Sequence, residues 1–89
     1  DSLARAYFEK LGLGKYFLHS LGHSLGIDIH EPPRFSSKCN DIMKENMVMS
    51  VEPGLYFENN YGIRIENLIY FDKSGATDLT KSEKNIIIV

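Results

Sequence analysis

All three histidines of this 89-residue chain fall in one run, His19-Ser-Leu-Gly-His23-Ser-Leu-Gly-Ile-Asp-Ile-His30, closed by Glu31-Pro32-Pro33. No other stretch limits the possible folds as strongly. A helix would set His19 and His23 on one face. However, Gly22 and Gly26 each cost about 1 kcal/mol against alanine in a helix interior. Ser20 also stands where a zinc-protease helix needs a glutamate. The window therefore reads as a tight, glycine-permitted loop that brings backbone close to whatever the histidines hold. Ile27 to His30 then alternates like a short strand, and Pro32-Pro33 should end it, because two successive residues lack a ladder donor.

Around this window the periodicities predict an α+β chain. Asp1-Ser2 can cap a helix in which Leu3, Tyr7 and Leu11, flanked by Ala4 and Phe8, form a stripe expected to pack on a sheet, with Arg5, Glu9 and Lys10 opposite and Gly12 and Gly14 as the stop. Tyr16 to Leu18 reads as a brief strand. Residues 34–46 read as loop, and Met47 to Val51 as a buried strand interrupted by Pro53-Gly54 and resumed at Leu55. A turn at Glu58-Asn59-Asn60 leads into the longest predicted strand, Ile63 to Phe71, and Asp72 to Gly75 turns the chain into another at Ala76 to Leu79. Ile86 to Val89 is apolar enough for a last strand. One helix followed by antiparallel strands is an α+β layout in a single unit.

Composition narrows the function classes. A 43% hydrophobic and 25% charged chain of net charge −2, with no basic stripe, is globular and offers nothing to nucleic acid. No apolar run approaches the roughly 20 residues that cross a bilayer, so no membrane role is expected. The single Cys39 cannot form an internal disulfide, and a reducing, cytoplasmic location is the simplest expectation. The chain lacks an initiator methionine and starts within a helix-like pattern, as a piece of a larger domain would.

Chemistry-bearing residues converge on a few positions. Glu52 lies in an apolar stretch, where a carboxylate is costly unless paired or metal-bound; its alternative is a strand end facing solvent beside Pro53. Glu66 sits in the longest predicted strand with Arg64 on the same face, which is equally the pattern of a surface ion pair. One histidine and two glutamates on neighbouring strands make a borderline-hard N/O donor set suited to Mn²⁺, Co²⁺, Zn²⁺ or Fe²⁺.

Three ordered motifs then carry a resemblance: His19-x-x-Gly-His23-x-x-Gly-x-x-x-His30-Glu31-x-Pro33, Ser50-Val51-Glu52-Pro53-Gly54-Leu55-Tyr56, and Gly62-Ile63-Arg64-Ile65-Glu66-Asn67. Together they resemble the C-terminal half of the catalytic domain of the pita-bread metallopeptidases, which include methionine aminopeptidases, Xaa-Pro aminopeptidases and Xaa-Pro dipeptidases (prolidases). The resemblance implies a dinuclear exopeptidase with two divalent ions, Mn²⁺ foremost, whose shared water becomes the hydroxide nucleophile. It makes His23, Glu52 and Glu66 metal ligands, with Glu66 bridging. Glu52 is also implied as general base or proton shuttle. His30 would hydrogen-bond the scissile carbonyl, and His19 would line the pocket and assist substrate binding or proton transfer. His19 and Arg64 resemble the Xaa-Pro subgroup, so a proline-containing peptide is the expected substrate, with Arg64 among the substrate-binding residues.

The family pattern also includes two aspartates from a preceding half-domain, and neither Asp1 nor Asp28 stands in that arrangement. Residues 1–89 are therefore expected to be the C-terminal part of the catalytic domain. They would be inactive alone and would need the N-terminal half of the same domain as partner, within a homo-oligomeric complete protein. The competing reading is a non-catalytic pita-bread module that binds a peptide or protein; such relatives generally lose ligands, whereas His23, Glu52 and Glu66 are all present.

Overall fold

A computed structural model describes residues 1–89. Helix α1 spans Ser2–Lys10. It closes in a Schellman arrangement, in which the Gly12 N–H donates to the Glu9 carbonyl and the Leu13 N–H to that of Phe8. Gly12 adopts φ +72°, a left-handed conformation that a Cβ would disfavour.

The helix is where predicted, but its packed face is rotated from the predicted stripe to the flanking Phe8 and on to Arg5. Leu3, Tyr7 and Leu11 are 88%, 62% and 54% exposed. The side that docks carries Phe8, edge-on to the buried Phe17 ring at 5.3 Å, together with Arg5. Arg5 forks onto the Asp1 carboxylate, donates to the carbonyls of Phe17 (3.2 Å) and His19 (3.0 Å), and lies over the Phe17 ring. Five guanidinium donors outweigh an aliphatic stripe in deciding which side faces inward. Tyr16 to Leu18 forms no strand: a 3₁₀ turn, Gly14–Tyr16, delivers Phe17 inward instead.

Seven strands follow: β1 Gly22–Ser24, β2 Glu31–Phe35, β3 Val48–Val51, β4 Gly54–Tyr56, β5 Gly62–Arg64, β6 Asn67–Asp72 and β7 Gly75–Asp78. Five form an antiparallel sheet of order β2-β1-β3-β6-β7, and β4 and β5 form a separate two-stranded sheet. The predicted α+β class holds.

Five further strand expectations are corrected. The histidine window is not all loop, because His23 lies on β1. Ile27 to His30 is a run of bends rather than a strand, and pairing begins only at Glu31. Pro32-Pro33 does not stop a strand but lies within β2, where the register skips from Ser24↔Glu31 to His23↔Arg34. A proline pair is tolerated there because β2 is an edge strand and the prolines occupy the irregularity. Ile86 to Val89 forms no strand and is exposed.

The last correction matters most for the site. Ile63 to Phe71 is two strands, β5 and β6, which belong to different sheets. The chain crosses between the sheets twice, at Glu52-Pro53 from β3 to β4 and at Ile65-Glu66 from β5 to β6. The crossings run side by side, with the Ile65 N–H donating to the Pro53 carbonyl at 3.3 Å. Both candidate carboxylates therefore stand at the joint between the sheets.

Burial is concentrated beneath this joint. Only seven residues are buried, among them Phe17, Met49, Ser24 and Ser50. Gly22 permits the closest approach, since a Cβ there would lie 1.9 Å from the Ser50 carbonyl oxygen.

Candidate metal centre

Burial alternates along β1, with Gly22 and Ser24 inward, so the His23 side chain projects to the other face. It reaches a cleft of about 620 Å³ whose lining includes His30, Ser50, Glu52, Arg64 and Glu66. Glu52 stands just beyond the end of β3, as one of the two sequence readings had it, yet its side chain is only 12% exposed and faces the cleft rather than solvent.

His23 and Glu52 meet directly. The His23 Nδ1 lies 2.9 Å from the Ser24 carbonyl, which can only accept, so Nδ1 carries a hydrogen and donates. In the neutral ring Nε2 then presents a lone pair, and it faces Glu52 Oε1 at 3.1 Å. Two acceptors at this distance need a proton or a cation between them. Donor atoms each about 2.1 Å from one ion, at angles of about 90–110°, would be about 3.0–3.4 Å apart. The observed separation falls in that range. The second oxygen, Glu52 Oε2, is 3.5 Å from Arg64, whose other terminal nitrogen is 3.5 Å from Glu66 Oε2. Arg64 thus lies between the two carboxylates at the sheet joint.

The other sequence-selected residues are placed less uniformly. His30 is exposed at the cleft rim, with its ring centroid 4.4 Å from that of His23. His19 is outside the cleft lining: its Nδ1 donates to the Ser20 carbonyl at 2.8 Å, and its Nε2 accepts from the Tyr56 hydroxyl at 3.0 Å. Glu66 shares the cleft with His23 and Glu52, but no three His, Cys, Asp or Glu side chains come close enough to hold one ion among them.

Sequence reasoning gave no role to Arg5, Tyr56 or Ser50, although they hold His19 and the His23–Glu52 pair in place. Ser50 could have been noticed, because it sits two residues before Glu52 and so on the same strand face.

With this geometry in view, comparison with known proteins is decisive. The model of metallopeptidase family M24 matches residues 1–73. The chain belongs to that family. It is 44% identical over 87 residues to an Xaa-Pro dipeptidase of Pyrococcus furiosus, covering 98% of this chain and 25% of that protein. The solved prolidase from Pyrococcus furiosus superposes with a TM-score of 0.91 at 45% identity, over 94% of this chain and 25% of that one. The X-Pro aminopeptidase from Thermotoga maritima gives 0.94 at 40% identity, over 100% and 25%. This M24 chain thus spans about a quarter of the length of the relatives it matches, and it has the C-terminal half of the pita-bread fold.

Membership of M24 implies divalent metal ions. The donor set agrees: an imidazole with its far nitrogen already donating, a shielded carboxylate at coordination spacing, and a second carboxylate in the same cleft are hard-to-borderline N/O ligands. No helix of this M24 chain is long and apolar enough to cross a membrane.

Proposed function

We propose that this chain is the metal- and substrate-binding C-terminal part of an exopeptidase that hydrolyses the bond between an N-terminal residue and a following proline. The observation that carries the reading is the facing pair His23 Nε2 and Glu52 Oε1, on a family M24 chain. His23, Glu52 and, from the adjoining crossing, Glu66 would hold the ions. The remaining donors would come from the N-terminal half of the same domain, so the isolated chain is inactive on this reading. When bound, the ions supply Lewis acidity and activate water.

The chain's own groups do the rest. The exposed His30 ring can donate to the scissile carbonyl oxygen as negative charge develops there. Glu52 Oε2, which is not taken by Ser50 or His23, can accept and return a proton. Arg64 balances the charge of the two glutamates and orients the peptide, and His19, fixed by Tyr56, helps to bound the substrate site. Retention of His23, Glu52 and Glu66 together supports catalysis over a non-catalytic binding module.

The test is an assay of the full-length protein with Mn²⁺ on an Xaa-Pro dipeptide and an Xaa-Pro tripeptide. Cleavage of at least one is expected, and Glu66→Ala should abolish it. The preferred peptide distinguishes dipeptidase from aminopeptidase. Substantial turnover by Glu66→Ala, or a preference for N-terminal methionine over Xaa-Pro, would overturn the reading.

A further inference from the structure

The structure assigns to Ser50 the positioning of the metal-holding pair: its hydroxyl fixes the backbone of His23 and the rotation of the Glu52 carboxylate, and so the spacing between them. This inference rests on the reading of those two residues as ligands. Ser50 is 0% exposed, so no water competes for its hydroxyl. Its Oγ accepts the His23 backbone N–H at 3.0 Å. With that lone pair engaged, the hydroxyl hydrogen goes to Glu52 Oε1, 2.9 Å away.

One oxygen atom therefore fastens the strand that carries the imidazole and the carboxylate that faces it. The side chain also stands in for a backbone acceptor. β1 and β3 share a single paired position, Ser24↔Met49, and the next amide along β1 toward the N-terminus, that of His23, is taken by Ser50 Oγ rather than by a carbonyl. Glu52 is held from the other end as well, because its own N–H donates to the Leu21 carbonyl at 2.8 Å. The carboxylate thus has a fixed backbone, one oxygen pinned by a hydroxyl, and the same oxygen turned to His23. Without the hydroxyl it would be free to rotate toward Arg64, 3.5 Å from its other oxygen.

Partners of this kind typically contribute about 10–100-fold in metal affinity. The experiment is Mn²⁺ titration of the full-length protein, with free Mn²⁺ read by its electron paramagnetic resonance signal. Ser50→Ala is expected to weaken binding about 10–100-fold, while Ser50→Thr, which keeps the hydroxyl, binds like wild type. Ser50→Ala with unchanged affinity would overturn the inference. If Ser50→Ala does not fold, the Ser50→Thr and Ser50→Val pair decides, since the two have one shape and differ in the hydroxyl. Weaker binding by the valine variant alone supports the inference, and equal binding by both overturns it. His23→Ala and Glu52→Ala separate the two levels. If both lose Mn²⁺ while Ser50→Ala keeps it, only the role of Ser50 fails. If neither loses it, the ligand reading fails and the inference falls with it.

Discussion

On the β1–β3 side of the cleft, His23 and Glu52 are 13% and 12% exposed and are tied to buried atoms of both strands. On the β5–β6 side, Arg64 and Glu66 are 49% and 43% exposed, and their side chains form ion pairs with one another and, for Arg64, with Glu52, at 3.5 Å. The first side is pre-organised by packing, because Ser50 and the backbone already hold His23 and Glu52 in place and leave only the facing Nε2 and Oε1 for an ion or a proton. The second is held by charge alone, in partly solvated contacts that contribute little to stability. The difference teaches where substitutions act. Changes on the first side should damage the fold and the site together, whereas changes on the second should alter the site and leave the fold intact.

The largest expected effect comes from Gly22→Ala in the full-length protein. The added Cβ would meet the Ser50 carbonyl oxygen at 1.9 Å, so β1 must move off β3 and carry His23 from Glu52. We expect a loss of about 3 kcal/mol in urea unfolding, together with loss of Mn²⁺ binding. Wild-type stability would mean that the strand contact is not the anchor. Tyr56→Phe comes next: it removes the hydroxyl that donates to His19 Nε2, at a cost of about 1 kcal/mol. Nitrogen chemical shifts of the His19 ring should change accordingly, and an unchanged tautomer would show that Ser20 alone fixes it.

Arg64→Ala probes the open side. Its stability cost should be about 0.5 kcal/mol or less, while KM or kcat for Xaa-Pro substrates changes markedly. A stability loss matching that of Gly22→Ala would erase the contrast between the two sides. The smallest effect lies away from the cleft. Asp78 is held below the usual carboxylate range, chiefly by the Thr80 backbone N–H, with Lys84 and Asn67 adding to it. A lowered pKa gives stability that is present above the unfolded value and lost as pH falls through the folded one. Asp78→Asn should therefore lose a little stability at neutral pH and flatten the acid limb, converging with wild type below about pH 4; an acid limb as steep as that of wild type would contradict this.

Much of the architecture could be read from residue patterns, and the failures have physical causes. β3, the β4–β5 turn and the Asp72–Gly75 turn stand where alternation and turn chemistry put them, because each depends on local preference. Alternation through Ile63, Ile65, Ile69 and Phe71 says nothing about which partner each segment pairs with, so the switch of sheets at Ile65-Glu66 was invisible. The proline pair misled because edge position is a property of the assembled sheet. The α1 stripe misled because Arg5 carries more inward bonds than Leu3 or Tyr7 could offset. Histidine and glutamate stand out in apolar surroundings, so His23, Glu52 and Glu66, which line one cleft, could be singled out. Ser50 was not, since a buried serine in a strand looks ordinary until its two partners are seen.

The paired crossings have a practical corollary. Glu52 and Glu66 are fixed at the base of the β4–β5 hairpin, where Ile65 and Pro53 are bonded, whereas its tip, Glu58 to Asn60, is exposed. Residues added at the tip lengthen the arm without moving its base. The tip is thus the natural place for a fluorophore or affinity tag to be grafted while the carboxylate spacing is preserved.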